Sequence, residues 1–151
     1  MSELKRILLA EDNLQDIQLT LAALEEHNLA NEIMVVRDGA EALDYLHRRG
    51  AFSGRSCGHP AVVFLDIKMP KLDGMEVLRQ MKEDPDLKMI PVVVVTSSRE
   101  QQDVLKSYRH GANAYVVKPI DFQQFTEAIK QLGLFWAVIN EPPPACIQKT
   151  T

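Results

Sequence analysis

The chain has 151 residues, 46% of them apolar and 25% charged, with a formal net charge of −4. That length fits one domain able to bury roughly two-thirds of its unfolded surface, and the composition is that of a globular chain rather than a disordered one. The negative balance argues against a nucleic-acid-binding surface over the whole domain, and no apolar run approaches the length of a membrane span.

Residues 4–10 (LKRILLA) are apolar, stop abruptly at Glu11-Asp12 and read as a buried strand. Over residues 13–29, Ile17, Leu21, Ala22 and Leu24 recur at a helical period, with Asn13 as the N-cap. Residues 33–36 form a short strand, Asp38-Gly39 punctuates the chain, and residues 40–49 carry a second helical pattern with Ala42, Leu43 and Leu46 on one face. Residues 50–60 (GAFSGRSCGHP) are rich in Gly and Ser and read as a loop. Residues 61–65 (AVVFL) are continuously apolar, as expected of a central parallel strand covered on both faces, and they end at Asp66. A helix over 75–83 is closed by Asp84-Pro85, and a strand over 91–95 (PVVVV) ends at Thr96. A helix over 99–109 closes at His110-Gly111, a last strand over 114–117 ends at Lys118-Pro119, and a final amphipathic helix covers 121–132. The tail from Glu141 (EPPPACIQKTT) is proline-rich and polar and reads as irregular.

Five strands alternating with five helices predict an α/β fold, a doubly wound parallel sheet with helices on both faces. The two cysteines, Cys57 and Cys146, fall in no CxxC or zinc spacing and read as free thiols of a reducing cytoplasm. The polar first residues are unlike a signal peptide.

In an open α/β sheet, ligands bind beyond the carboxyl ends of the strands. The first strand is followed by Glu11 and Asp12, the third by Asp66, the fourth by Thr96 and the fifth by Lys118. Taken singly these have ordinary explanations: Asp66 as a turn acid, Asp12 and Asn13 as caps of the first helix, Thr96 as a cap of the fourth, Lys118 as a surface lysine. Taken together they gather three carboxylates, a hydroxyl and an ammonium at one edge. Crowded carboxylates require a cation or a raised pKa, and an all-oxygen ligand set favours Mg²⁺ or Mn²⁺. A carboxylate can serve as nucleophile toward phosphorus, while Lys118 and Thr96 meet phosphoryl oxygens.

These residues resemble bacterial response-regulator receiver domains over about residues 4–132. The resemblance rests on Glu11-Asp12, Asp66-Ile67-Lys68-Met69-Pro70 with Asp73-Gly74, Thr96-Ser97-Ser98, and Tyr115-Val116-Val117-Lys118-Pro119. It implies a flavodoxin-like five-stranded sheet of order 2-1-3-4-5. It implies Asp66 as phosphoacceptor, and Mg²⁺ or Mn²⁺ held by Asp12, Asp66, the backbone carbonyl of Lys68, and Glu11 through a metal-bound water. It also implies Lys118 paired with the phosphoryl group across a cis Lys118–Pro119 bond, a switch pair of Thr96 and Tyr115, and a sensor histidine kinase as partner. A finer resemblance, to single-domain regulators of phytochrome-type kinases, rests on Glu11-Asp12-Asn13 with Asp16, on Arg48-Arg49-Gly50, and on residues 133–144 (GLFWAVINEPPP).

Residues 133–151 are expected to form a C-terminal extension, an apolar arm and then the proline-rich tail. Too few residues follow the receiver for a DNA-binding output domain, so a protein contact is the expected output. Leu134, Phe135, Trp136 and Ile139 are expected to bury either on the chain's own core or against a second copy. The second case gives a homodimer through this arm and the face of the fourth and fifth helices. No nucleic acid, membrane or small-molecule cofactor is expected, and no enzymatic turnover beyond slow self-dephosphorylation tuned by the side chains of Lys68 and Ser98. Three other readings compete. An aspartate-nucleophile phosphatase needs a second acid where Lys68 stands. An unphosphorylated interaction module of the same shape would be favoured by a broken acidic set. A flavin carrier needs a hydroxyl- and Gly-rich phosphate loop where Glu11-Asp12-Asn13 stands.

Overall fold

Side chains that alternate along parallel strands decide the layering of this molecule. The computed structural model describes residues 6–26, 32–55, 58–97 and 100–117. Its strands are β1 (Arg6–Ala10), β2 (Glu32–Val36), β3 (Val62–Leu65), β4 (Val92–Thr96) and β5 (Ala114–Val117), and its helices are α1 (Leu14–Glu26), α2 (Gly39–His47), α3 (Gly74–Glu83) and α4 (Gln101–Arg109). The strands form one sheet of order β2-β1-β3-β4-β5, with every pairing parallel. The expected topology is therefore present. The predicted final helix over 121–132 lies outside the described residues.

Successive residues of a strand face opposite sides of the sheet, and the core divides accordingly. Leu8, Ala10, Val63, Leu65, Val92 and Val94 pack with Leu43 and Leu46 of α2 and Val77, Leu78 and Met81 of α3. Ile7, Leu9, Val62, Phe64, Val93 and Val95 pack on the other side with Ile17 of α1. Phe64, wholly buried at the centre, contributes on the order of 2–3 kcal/mol by leaving water. Because both faces are covered, β3 and β4 have no polar alternation, which is why their sequences read as unbroken apolar runs.

Helix starts follow local chemistry. The Asn13 side chain accepts a hydrogen bond from the Asp16 amide at 3.0 Å, as its N-cap role predicts. Asp38 and Asp73 cap α2 and α3 through the amides of Glu41 at 2.7 Å and Glu76 at 2.9 Å. In both, an acid at the cap precedes a Glu three residues on, the pattern of a capping box.

Three details go beyond the local sequence pattern. In α1 the polar Thr20 is buried along with Ile17, while Ala22 is exposed. The α4 cap is Glu100, so Thr96, the last residue of β4, does not cap that helix. Residues 50–60 contain a 3-10 turn at Gly50–Phe52 and are anchored beyond it. The Arg55 guanidinium lies 4.2 Å from the Tyr45 ring centroid, and its Nε and Nη1 donate to the carbonyls of Tyr45 and Gly58 at 3.0 and 2.7 Å. A cation over an aromatic face orders a segment that composition alone marks as loop. Cys57 and Cys146 lie outside the described residues.

Candidate functional site

Strand register builds the site. Ala10 and Leu65 are paired residues of adjacent strands, so the residues that follow them, Glu11 and Asp66, leave the sheet side by side. The Asp66 amide donates to the carbonyl of Ala10 at 3.0 Å, and the Glu11 amide donates to the carbonyl of Val36 at 3.0 Å. Both acids are thus fixed at the backbone on strands that cannot slide without moving the core. They are 3% and 8% exposed respectively, and Asp12 is half-buried. One carboxylate oxygen from each of Glu11, Asp12 and Asp66 lies within 4.8 Å of the others.

Each acid is further oriented. The Asn13 amide donates to Glu11 Oε2 at 3.2 Å, and the Lys68 amide donates to Asp66 Oδ1 at 3.3 Å. Arg37 Nη2 donates to the backbone carbonyl of Asp12 at 3.0 Å. The Lys68 side chain is exposed. The loop from Asp66 to α3 is tightly folded: the Gly74 amide donates to the carbonyl of Ile67, and that of Leu72 to the carbonyl of Pro70, both at 2.7 Å. At Lys71 the backbone enters the left-handed region, with φ 65°, a conformation that disfavours a side chain.

Thr96 and Tyr115 occupy the neighbouring strands. Thr96 is wholly buried at the end of β4. Tyr115 pairs with Val94 across β4 and β5 and is half-buried against the cluster of α2 and α3. Lys118, with the Lys118–Pro119 bond, lies outside the described residues, as do Ser98, Leu134, Phe135, Trp136 and Ile139. The structure thus brings Glu11, Asp12 and Asp66 together as the sequence predicts, with Thr96 at the same sheet edge.

Three like charges at this spacing repel, so the cluster is a ready anionic cage for a cation. Its donors are all oxygens, which fits a hard divalent ion such as Mg²⁺ or Mn²⁺ and not a soft one. No local sequence pattern marks Arg37, and Asp38-Gly39 reads from the sequence only as a break. The Asp38…Glu41 spacing marks a helix cap, but the long-range contacts of this turn have no signal in a single sequence.

The sequence pattern of the response regulator receiver domain family matches residues 7–130. Response regulator Rcp1 of Synechocystis sp. is 36% identical over 132 residues, covering 87% of this chain and 88% of its own. The Mn²⁺-bound form of Rcp1 superposes with a TM-score of 0.86 at 34% identity, over 93% of this chain and 99% of that one. The phosphorylated cyanobacterial phytochrome response regulator RcpA gives a TM-score of 0.87 at 38% identity, over 94% of this chain and all of that one. The bacteriophytochrome response regulator RtBRR is 59% identical with a TM-score of 0.76, over 95% of this chain and 86% of its own.

Proposed function

The chain belongs to the response regulator receiver family, and from that premise we propose that Asp66 accepts a phosphoryl group from a phytochrome-type sensor histidine kinase in the cytoplasm and passes the signal on through protein contacts. The observation that carries this is the emergence of Glu11 and Asp66 side by side from paired strands, with Asp12 completing a cluster within 4.8 Å.

In the transfer, an Asp66 carboxylate oxygen bonds to the phosphorus of a phosphohistidine. The phosphorus–nitrogen bond breaks, and the imidazole departs with the electron pair. Asp12, Asp66 and the Lys68 carbonyl, with Glu11 acting through a metal-bound water, would hold the divalent ion, which would supply positive charge to the phosphoryl oxygens and to the crowded acids. Asp66 is pre-aimed by the hydrogen bond its backbone amide donates to the Ala10 carbonyl and by the Lys68 amide, which donates to Oδ1. Preorganisation of this kind is the main contribution a protein makes to phosphoryl transfer. The Thr96 hydroxyl and the Lys118 ammonium meet the remaining oxygens. Thr96 then draws its loop inward and Tyr115 turns into the space vacated, so a local charge event biases a two-state element. The protein is its own substrate and not a turnover enzyme; loss of phosphate by attack of water is slow, and Lys68 and Ser98 tune it.

The phytochrome assignment is supported by RtBRR at 59% identity and RcpA at 38%. The test is transfer of label from an autophosphorylated bacteriophytochrome kinase. Label passes to the wild type and not to Asp66→Asn, and does so faster than from an unrelated histidine kinase. Equal rates from both kinases overturn the phytochrome partner. The dimer reading predicts that replacing Phe135 and Trp136 by serine halves the mass seen by light scattering; an unchanged mass overturns it.

A further inference from the structure

Three consecutive residues at the β2–α2 junction give no oxygen to the acidic cluster, yet each touches a loop that does. Arg37 Nη2 donates to the carbonyl of Asp12 at 3.0 Å, holding the β1–α1 loop. Asp38, itself only 8% exposed, uses Oδ1 to cap α2 and sets Oδ2 3.5 Å from Lys71 Nζ on the β3–α3 loop. Gly39 lies so close to that same loop that a Cβ there would fall 1.9 Å from the carbonyl oxygen of Leu72. One residue earlier, the carbonyl of Val36 accepts from the Glu11 amide.

We propose that Arg37-Asp38-Gly39 is a brace that fixes the distance between the two ligand-bearing loops and so sets the affinity of the cluster for its divalent cation. This rests on the metal reading given above. Glu11 and Asp12 sit on one loop and Asp66 on another, and their mutual repulsion drives the loops apart. A cage that must receive a small ion with demanding geometry gains affinity when its ligands are held at the right spacing beforehand. Arg37 and Lys71 act in the brace as positioning residues, through backbone and helix-cap contacts and without touching the ion.

The sign of the effect separates this brace from simple electrostatics. Arg37 and Lys71 are cations beside a cation site. Through space alone, Arg37→Ala and Lys71→Ala remove repulsion and tighten metal binding. The brace predicts the reverse, a loss of about threefold to tenfold in affinity for each, the worth of one ordinary hydrogen bond or ion pair. Titration calorimetry of Mn²⁺ into the full chain reads this directly, and thermal melting of the metal-free proteins reports stability separately. Weaker Mn²⁺ binding in both variants, with unchanged metal-free melting and recovery in Arg37→Lys, supports the brace. Wild-type or tighter binding in the two alanine variants overturns it, as does a loss of affinity that only tracks a lower melting temperature. Asp38→Asn keeps the capping oxygen while removing the charge that meets Lys71; unchanged Mn²⁺ affinity in that variant overturns the Lys71 arm. Absence of Mn²⁺ binding by the wild type overturns the metal reading itself and the brace with it, an outcome distinct from equal binding by all five proteins.

Discussion

A Cβ added to Gly74 would lie 2.0 Å from the backbone carbonyl oxygen of Asp66. The first residue of α3 therefore packs against the peptide of Asp66, and only the absence of a side chain permits it. Gly74→Ala must push the helix start away from the loop. The expected cost is about 3 kcal/mol, the upper end for overpacking a close contact, read by denaturant unfolding. The displaced Asp66 should also accept phosphate about a hundredfold more slowly, since a misplacement of roughly 1 Å at a reacting group has that effect. Wild-type stability would contradict the packing, and wild-type phosphorylation in a destabilised variant would contradict the link to Asp66.

Lys71 offers a cleaner backbone test. Its φ of 65° is disfavoured for any residue with a Cβ. Lys71→Gly and Lys71→Ala lose the same ion pair with Asp38 and differ in that conformation. The glycine variant should be the more stable of the two by about 1 kcal/mol, relief of left-handed strain outweighing the entropy glycine regains on unfolding. A more stable alanine variant would mean that the turn relaxes out of the left-handed region at no cost.

On α3, Glu76 accepts hydrogen bonds from Arg79 and from the Gln80 side-chain amide. The Arg79 bonds are the principal cause, with Gln80 next, that holds the Glu76 carboxyl down at about 2, from an ordinary value of 4.5. A depressed carboxyl favours the folded state above its unfolded value, and that contribution fades as pH falls from about 4.5 through 2. The pair is open to solvent, so its effect on stability is small. Carboxyl NMR titration should place Glu76 near 2 in the wild type and return it most of the way toward 4.5 in Arg79→Ala. An identical titration in both proteins would remove Arg79 as the cause.

The fold was legible because the strands announce themselves. Runs such as VVFL in β3 and VVVVT in β4 are apolar without alternation, which only two-sided burial explains. The acids, lying just past those runs, were legible for the same reason. Local rules did less well where the partner is distant in sequence. Arg55 orders its loop by stacking on Tyr45, ten residues away, and Arg37 reaches Asp12 across a strand pair; neither contact has a period or a motif. On α1, the inward position of Thr20 is set by the sheet below it, and a hydroxyl gives no apolar mark to follow. Thr96 shows the converse: as a helix cap it was locally plausible, but β4 extends through it and α4 starts only after Glu100.

Metal-dependent phosphorylation of Asp66 can be read without any kinase, by intact-mass spectrometry after incubation with Mg²⁺ and a small acyl phosphate. The wild type should gain the mass of one phosphoryl group, lose that gain when Mg²⁺ is chelated beforehand, and show none in Asp66→Asn. A wild type that gains no mass with Mg²⁺ present, or an Asp66→Asn variant that gains as much as the wild type, would rule out Asp66 as the metal-dependent phosphate acceptor.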